Sequence, residues 1–183
     1  MSTESRPPHA REKVLDAFEQ LLIAEGERAA TLESVAREAG VSKGGLLYHF
    51  GSREALEEGM YARLSALAAR DIEAVRSAPE GPIAYFLSTS GDVGLPLDRA
   101  ITAVGRLAHG GNSTASAELA AVRDSWADAL RPHVRDDAAL DLVMLVSDGI
   151  YVNSALMNDL PGPVPRGEAL TALIRLVETA ARD

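Results

Sequence analysis

Apolar residues recur at helical steps along almost the whole chain. Between Ala10 and Glu25, Val14, Leu15, Phe18, Leu21 and Leu22 form one stripe, with Glu12, Asp16, Glu19 and Gln20 outside it. That is the pattern of an amphipathic helix, and Gly26 closes it. Leu32, Val35, Ala36 and Ala39 repeat the spacing after Thr31, whose hydroxyl suits a helix N-cap. Gly40 stands where a left-handed residue ends a helix, and Ser42 caps the next. That helix carries Leu46, Leu47, Tyr48, His49 and Phe50; Gly51 breaks it and Ser52 caps another.

The rest reads the same way. A long helix runs from Ser52 to about Ser77, with Leu56, Met60, Leu64 and Leu67 inward, until Pro79, Gly81 and Pro82 stop it. Helices are expected over Pro82–Ser90, Leu97–Ala108 and Ser116–Leu130, with Gly91–Pro96 and Gly110–Asn112 as breaks. The most apolar helix runs from Asp137 to about Asn158. Pro161, Gly162, Pro163 and Pro165 make a rigid linker, and Gly167–Ala181 is the last helix, with Leu170, Leu173, Ile174, Val177 and Ala181 on a stripe. The expected fold class is all-α, with about nine helices, no strand pattern and no solenoid repeat.

Thr31 to Leu56 has a particular form: helix, glycine-containing turn, second helix, then the start of a third. This is the helix-turn-helix arrangement of DNA binders. The run GVSKGGLLYHF followed by SREAL resembles the DNA-binding head of the tetracycline-repressor (TetR) family of transcriptional regulators. The resemblance rests on Thr31, Val35, Ala36, Ala39 to Ser42, Lys43, Gly44, Leu46, Tyr48, His49, Phe50, Ser52 and Leu56, and spans Val14 to about Leu56. It implies a three-helix head over residues 1–55, with 1–9 as a flexible arm, and a ligand-binding and dimerisation body over 56–183. It also implies a homodimer joined through the last two helices, a palindromic double-stranded operator and a small-molecule effector. The layout is similar to repressors of multidrug exporters, which implies a lipophilic effector.

The residues expected at DNA are Thr31, Ser42, Lys43, Gly44, Gly45, Leu47, Tyr48, His49 and Arg53. Leu46 and Phe50 occupy the inward positions, so Tyr48 and His49 point elsewhere, with hydrogen-bond donors for phosphate oxygens. Gly44 and Gly45 each cost about 1 kcal/mol in helix propensity, and their use would be close approach of backbone to DNA. Gly45 and Leu47 depart from the family, which often has polar or Tyr side chains there. Leu47 could meet a thymine methyl, base reading could lean on other positions, or Leu47 could pack in the core. Thr31 and Arg53 start helices, a role that suffices alone; phosphate contact would be an added one.

Composition changes this picture in one respect. The net charge is -9, which argues against a nucleic-acid partner until its distribution is read. Residues 1–55 carry about -2 and the remainder -7. Lys43 and Arg53, with Arg6, Arg11 and Lys13 of the arm, could form a local positive face, while an acidic body penalises random DNA contact. There is no cysteine, which excludes disulfides, thiol catalysis and Cys-ligated zinc. The N-terminus lacks signal-peptide character, and no run reads as the roughly 18 to 20 apolar residues of a membrane span. A cytoplasmic location is expected.

Aromatic residues are 4% of the chain, so each counts in a candidate pocket. Met60, Tyr85, Phe86, Trp126, Met144, Asp148 and Tyr151, with Asn153 beside them, suit an apolar ligand carrying one or two polar groups. Asp148 is an acid within LVMLVSDGIYV, and such a carboxylate needs a cationic ligand, an arginine or a backbone N–H. His9, His49, His109 and His133 show no metal spacing, and no nucleophile stands beside a base. No metal, cofactor or catalytic residue is expected. The competing readings are a helical dimeric interaction protein, or a helical enzyme, without DNA binding.

Overall fold

The computed structural model describes residues 9–155 and 162–182. Residues 1–8 of the expected arm over 1–9, Pro161 of the linker and the end of the eighth helix beyond Ala155 lie outside the described residues, while His9 is already helical. Among the described residues there are nine α-helices and no strand. They are α1 (His9–Glu25), α2 (Leu32–Glu38), α3 (Lys43–His49), α4 (Arg53–Ser77), α5 (Pro82–Thr89), α6 (Pro96–His109), α7 (Ser113–Leu130), α8 (Asp137–Ala155) and α9 (Glu168–Arg182). A single 3-10 turn at Arg131–His133 follows α7, where Pro132 ends the α-helix.

The local signals act as their chemistry requires. Thr31 Oγ1 accepts from the Ser34 amide at 3.2 Å, and Ser42 Oγ accepts from the Gly45 amide at 3.0 Å. Ser52 Oγ caps α4 by accepting from the Ala55 amide at 3.2 Å. Gly40 has φ +66, the left-handed conformation that glycine adopts without penalty, so α2 can stop and α3 can start three residues later, at Lys43.

The chain forms two compact units. The first takes in the residues up to Ala66 together with Arg99–Leu119; the second takes in Leu67–Asp98 and Ala120 onward. This partition differs from a boundary at residue 55. Leu56, Met60 and Leu64 of α4, Ala103, Val104 and Leu107 of α6 and Ala115 of α7 are all fully buried within the first unit, so its core extends well past that point.

In the first unit α1, α2 and α3 pack on one another, and Phe18 is the largest fully buried side chain. Gly59 lets α4 come close: a Cβ there would lie 2.9 Å from a Phe50 ring carbon and 3.0 Å from a Leu15 methyl. Glu19 departs from the sequence expectation. It was placed on the outer side of α1, yet it is buried. The reason is charge pairing: Arg63 reaches it from α4 at 3.4 Å and Arg99 from α6 at 2.7 Å.

In the second unit α5, α8 and α9 pack together. Ile83, Phe86 and Leu87 of α5 meet Leu140, Val143 and Met144 of α8 and Val177 and Ala181 of α9. Arg135, just before α8, donates from its backbone N–H to the Ala181 carbonyl at 2.9 Å and from its guanidinium to the Ala180 carbonyl at 2.6 Å. α8 corrects one sequence reading. Over its 19 residues it is long and apolar enough, by length and composition, to cross a membrane. Seven of its residues, from Ala139 to Ser154, are buried inside the chain, which accounts for that apolarity as a core helix.

Candidate nucleic-acid interface

α3 is short and strongly two-faced. Leu46 is fully buried, and Phe50, its C-cap, is nearly so. These two stand four residues apart and fasten the inner side of the helix. Lys43, Gly44, Leu47 and Tyr48 lie off that inner side, and all four are exposed. Tyr48 is 80% exposed, and its ring meets His49 edge-on with centroids 5.3 Å apart. Leu47 is 38% exposed, so the choice between core and surface goes to the surface.

The two glycines differ. A Cβ at Gly44 would find its nearest neighbour, Ser42 Oγ, at 4.0 Å, so no internal contact demands glycine there. At Gly45 the same atom would lie 3.2 Å from Ser42 Oγ, against the oxygen that caps the helix. Thr31 and Ser42 both spend their hydroxyls as caps.

Lys43 and Arg53 have partners that the sequence did not reveal. Lys43 Nζ is paired with the Glu33 carboxylate across from α2, an exposed contact that pulls the Glu33 pKa below the ordinary carboxylate value, chiefly through the hydrogen bond from Lys43. Arg53 is turned inward. Its Nε donates to Glu57 at 2.8 Å, its Nη1 donates to the Ala30 carbonyl, and its guanidinium lies 5.0 Å from the centre of the Phe18 ring. The expected phosphate contact by Arg53 would require giving up these bonds. Arg11 covers Phe50 from the outside at 4.8 Å.

The Lys43 pairing yields a first expected result. Glu33→Gln removes the carboxylate that competes with phosphate for Lys43 and also removes a charge that repels DNA. Affinity for the DNA preceding the chain's own gene should rise roughly tenfold, most clearly at low salt. Equal or weaker binding in a titration at two salt concentrations would take Lys43 off the DNA face.

The candidate pocket residues do not gather into one place. Tyr85, Phe86, Trp126 and Met144 belong to one apolar cluster, with the Phe86 and Trp126 rings 5.9 Å apart. Met60 is fully buried in the first unit, whereas that cluster lies in the second. Asp148 is half exposed and paired with Arg123 through two parallel bonds of 2.8 Å, so the arginine alternative holds and its charge is already met. Tyr151 donates to Asp98 at 2.6 Å.

Trp126 has a partner the sequence did not suggest. Its indole N–H donates to Asp71 of α4 at 2.8 Å. Burial pushes the Asp71 carboxyl above its ordinary pKa, and the Trp126 bond opposes that shift. A raised folded-state value means that the folded chain holds the proton over a window where the unfolded chain has lost it. Asp71 therefore subtracts stability as pH rises through that window. Trp126→Phe removes the bond to the charged form and pushes the value further up. The variant should lose about 1–3 kcal/mol at pH 7, and the loss should shrink at about pH 3, below the ordinary aspartate value. Urea unfolding at both pH values measures this, and an equal loss at both would exclude the bond's contribution.

Residues 14–60 match the family described as bacterial regulatory proteins, tetR family. The HTH-type transcriptional regulator AlkX of Mycobacterium tuberculosis is 44% identical over 55 residues, which cover 30% of this chain and 26% of AlkX. This chain thus matches only about a quarter of that relative's length. Among solved structures, Salmonella enterica GusR is similar over 98% of this chain and 99% of its own, with a TM-score of 0.69 at 16% identity. The multidrug binding protein EbrR complexed with ethidium is similar over 94% and 98%, with a TM-score of 0.57 at 20% identity. Likeness at these identities is likeness of fold. Residues 14–60 are thus similar to the helix-turn-helix segment of tetR-family bacterial regulatory proteins, and the chain as a whole shares its helical fold with solved structures such as GusR.

Proposed function

We propose that the chain is a transcriptional repressor that binds a palindromic operator as a homodimer and is released by a small lipophilic molecule. The observation that carries this is the outward face of α3, where Lys43, Gly44, Leu47 and Tyr48 stand exposed while Leu46 and Phe50 hold the helix from behind. A helix so presented fits a major groove, with Lys43, Tyr48 and His49 at phosphates or base edges and Leu47 against a thymine methyl. Thr31 and Ser42 position the two helix starts, and the glycines let the backbone approach. Two copies would read successive major grooves about 34–36 Å apart.

The last two helices supply the dimer contact in this reading. Leu145 and Val152 of α8 lie seven residues apart, hence on one face, and are exposed along with Leu176 of α9. An effector would act by binding one conformer of the dimer more tightly than the other. The aromatic cluster of Tyr85, Phe86 and Trp126 suits an apolar one. Because Arg123 already meets Asp148, the reading favours an apolar effector over one chosen for its charge. Regulation of transcription would place the protein in the cytoplasm.

The test is a mobility-shift titration with the DNA preceding the chain's own gene, across 50 to 200 mM salt. Salt-sensitive binding of two chains per duplex supports the reading. No shift at any salt concentration overturns it.

A further inference from the structure

Glu57 is a half-buried carboxylate in the second turn of α4, and each of its oxygens is used by a different part of the first unit. Oε1 accepts from Arg53 Nε at 2.8 Å. Oε2 accepts from Asn112 Nδ2, in the turn between α6 and α7, at 2.9 Å. Arg53 carries the connection on by donating to the Ala30 carbonyl, one residue before the N-cap of α2. Ala30 is itself fully buried, and the loop around it is pinned again by Ser34 Oγ, which donates to the Ala29 carbonyl at 2.6 Å. An unbroken polar chain thus runs from Asn112 through Glu57 and Arg53 to the loop that seats the helix-turn-helix.

We propose that Glu57 is a positioning residue for DNA reading, tying the turn between α6 and α7 to the start of α2. The chemistry favours coupling over two unrelated contacts. A carboxylate between two donors holds both at once, and a guanidinium fork bonded at two of its nitrogens cannot turn without breaking one bond. Displacement of Asn112 would leave Glu57 short of a donor in a half-buried place and loosen Arg53 on its far side. α2 and α3 pack directly on each other, so the seat of α2 sets the aim of Lys43 and Tyr48. The role in DNA reading rests on the repressor reading above; the coupling itself does not.

Asn112 also caps α7, with Oδ1 accepting from the Ala115 amide at 3.0 Å, so its replacement must spare that bond. Asn112→Ser does so: the serine hydroxyl can cap α7 but is too short to reach Glu57. Amide hydrogen exchange in the full-length protein is the readout. In Asn112→Ser the amides of Thr31 to Val35 should exchange about tenfold faster, while Ala115 stays protected. Glu57→Gln provides a second variant, since its amide puts an NH2 against one of the two donors and breaks the chain at one link; the same amides should respond. Faster exchange confined to Ser113–Ser116, or unchanged exchange at Thr31–Val35 in both variants, overturns the coupling. Faster exchange at Thr31–Val35 with no weakening of DNA binding by either variant overturns the role in reading. If the unaltered protein binds no DNA, the repressor reading fails, while the exchange result still decides the coupling.

Discussion

Tyr48→Ala is expected to abolish operator binding while leaving the chain folded. The two halves of that expectation have separate physical grounds. Tyr48 is 80% exposed, and its ring contact is with His49, so truncation opens no cavity in the core held by Leu46 and Phe50. Substitutions at such surface positions usually change stability by about 0.5 kcal/mol or less. On DNA the same side chain would supply a phenolic donor and a ring face at the middle of the reading surface. Loss of one such contact costs about 1–3 kcal/mol, and a dimer on a palindrome loses it twice. The combined penalty, roughly 2–6 kcal/mol, amounts to a weakening between about thirtyfold and more than ten-thousandfold. Titration by mobility shift together with a thermal melt separates the outcomes. An unchanged melt with unchanged affinity removes Tyr48 from the interface; a collapsed melt means that it supports the head instead.

α3 was legible in the sequence because its instructions are local. Thr31, Gly40, Ser42 and Ser52 act within three or four residues of themselves, through caps and one left-handed glycine. The inward Leu46 and Phe50 follow from spacing alone. The partnerships hidden from the sequence are those made over distance. Glu19 looked like a solvated residue because its own helix does not show that Arg63 and Arg99 will reach it. Lys43 and Arg53 counted as free positive charge because nothing near Lys43 marks Glu33 as its partner. The Arg53–Glu57 spacing of four was a visible cue for one half of the second case. The Asn112 link, 55 residues from Glu57, had no such cue.

The pocket was less legible for a related reason. Rarity of aromatic residues drew attention to Trp126, Tyr85 and Phe86, and these do share a cluster. Only its residue type marks Met60 in the sequence, and it belongs to the core of the other unit. Asp148 stood out because LVMLVSDGIYV looks fully buried. A helix has two sides, however, and Asp148 lies on the side where Arg123 and solvent can reach it. Asp71, the acid that does bond to Trp126, lies in a polar stretch of α4 and offered no contrast to notice.

If two copies pair through α8 and α9 as proposed, Leu176→Glu is expected to separate them and, with that, to weaken operator binding. Leu176 is 67% exposed and Leu145 is 65% exposed, on the two helices that are the last in the chain. α9 buries only Val177 and Ala181 within the single chain, leaving most of its apolar residues at least partly uncovered. A second copy would cover them, each fully buried leucine contributing about 1.5–3 kcal/mol. A glutamate at position 176 reverses that term. It carries an unpaired charge into an apolar contact, and two-fold symmetry brings in a second copy of the same charge. Several kcal/mol are lost on each side, enough to dissociate a dimer at micromolar concentration. The isolated chain should stay folded, because the position makes little contact within it. The DNA consequence follows from linkage: joined heads meet their second half-site at an effective concentration near millimolar, and separated heads do not. Leu95→Glu serves as the control, being 54% exposed but placed in the segment just before α6, outside the last two helices. Sedimentation equilibrium should give the mass of one chain for Leu176→Glu and of two for Leu95→Glu. The reverse pattern, or two chains in both, would move the dimer contact off α8 and α9.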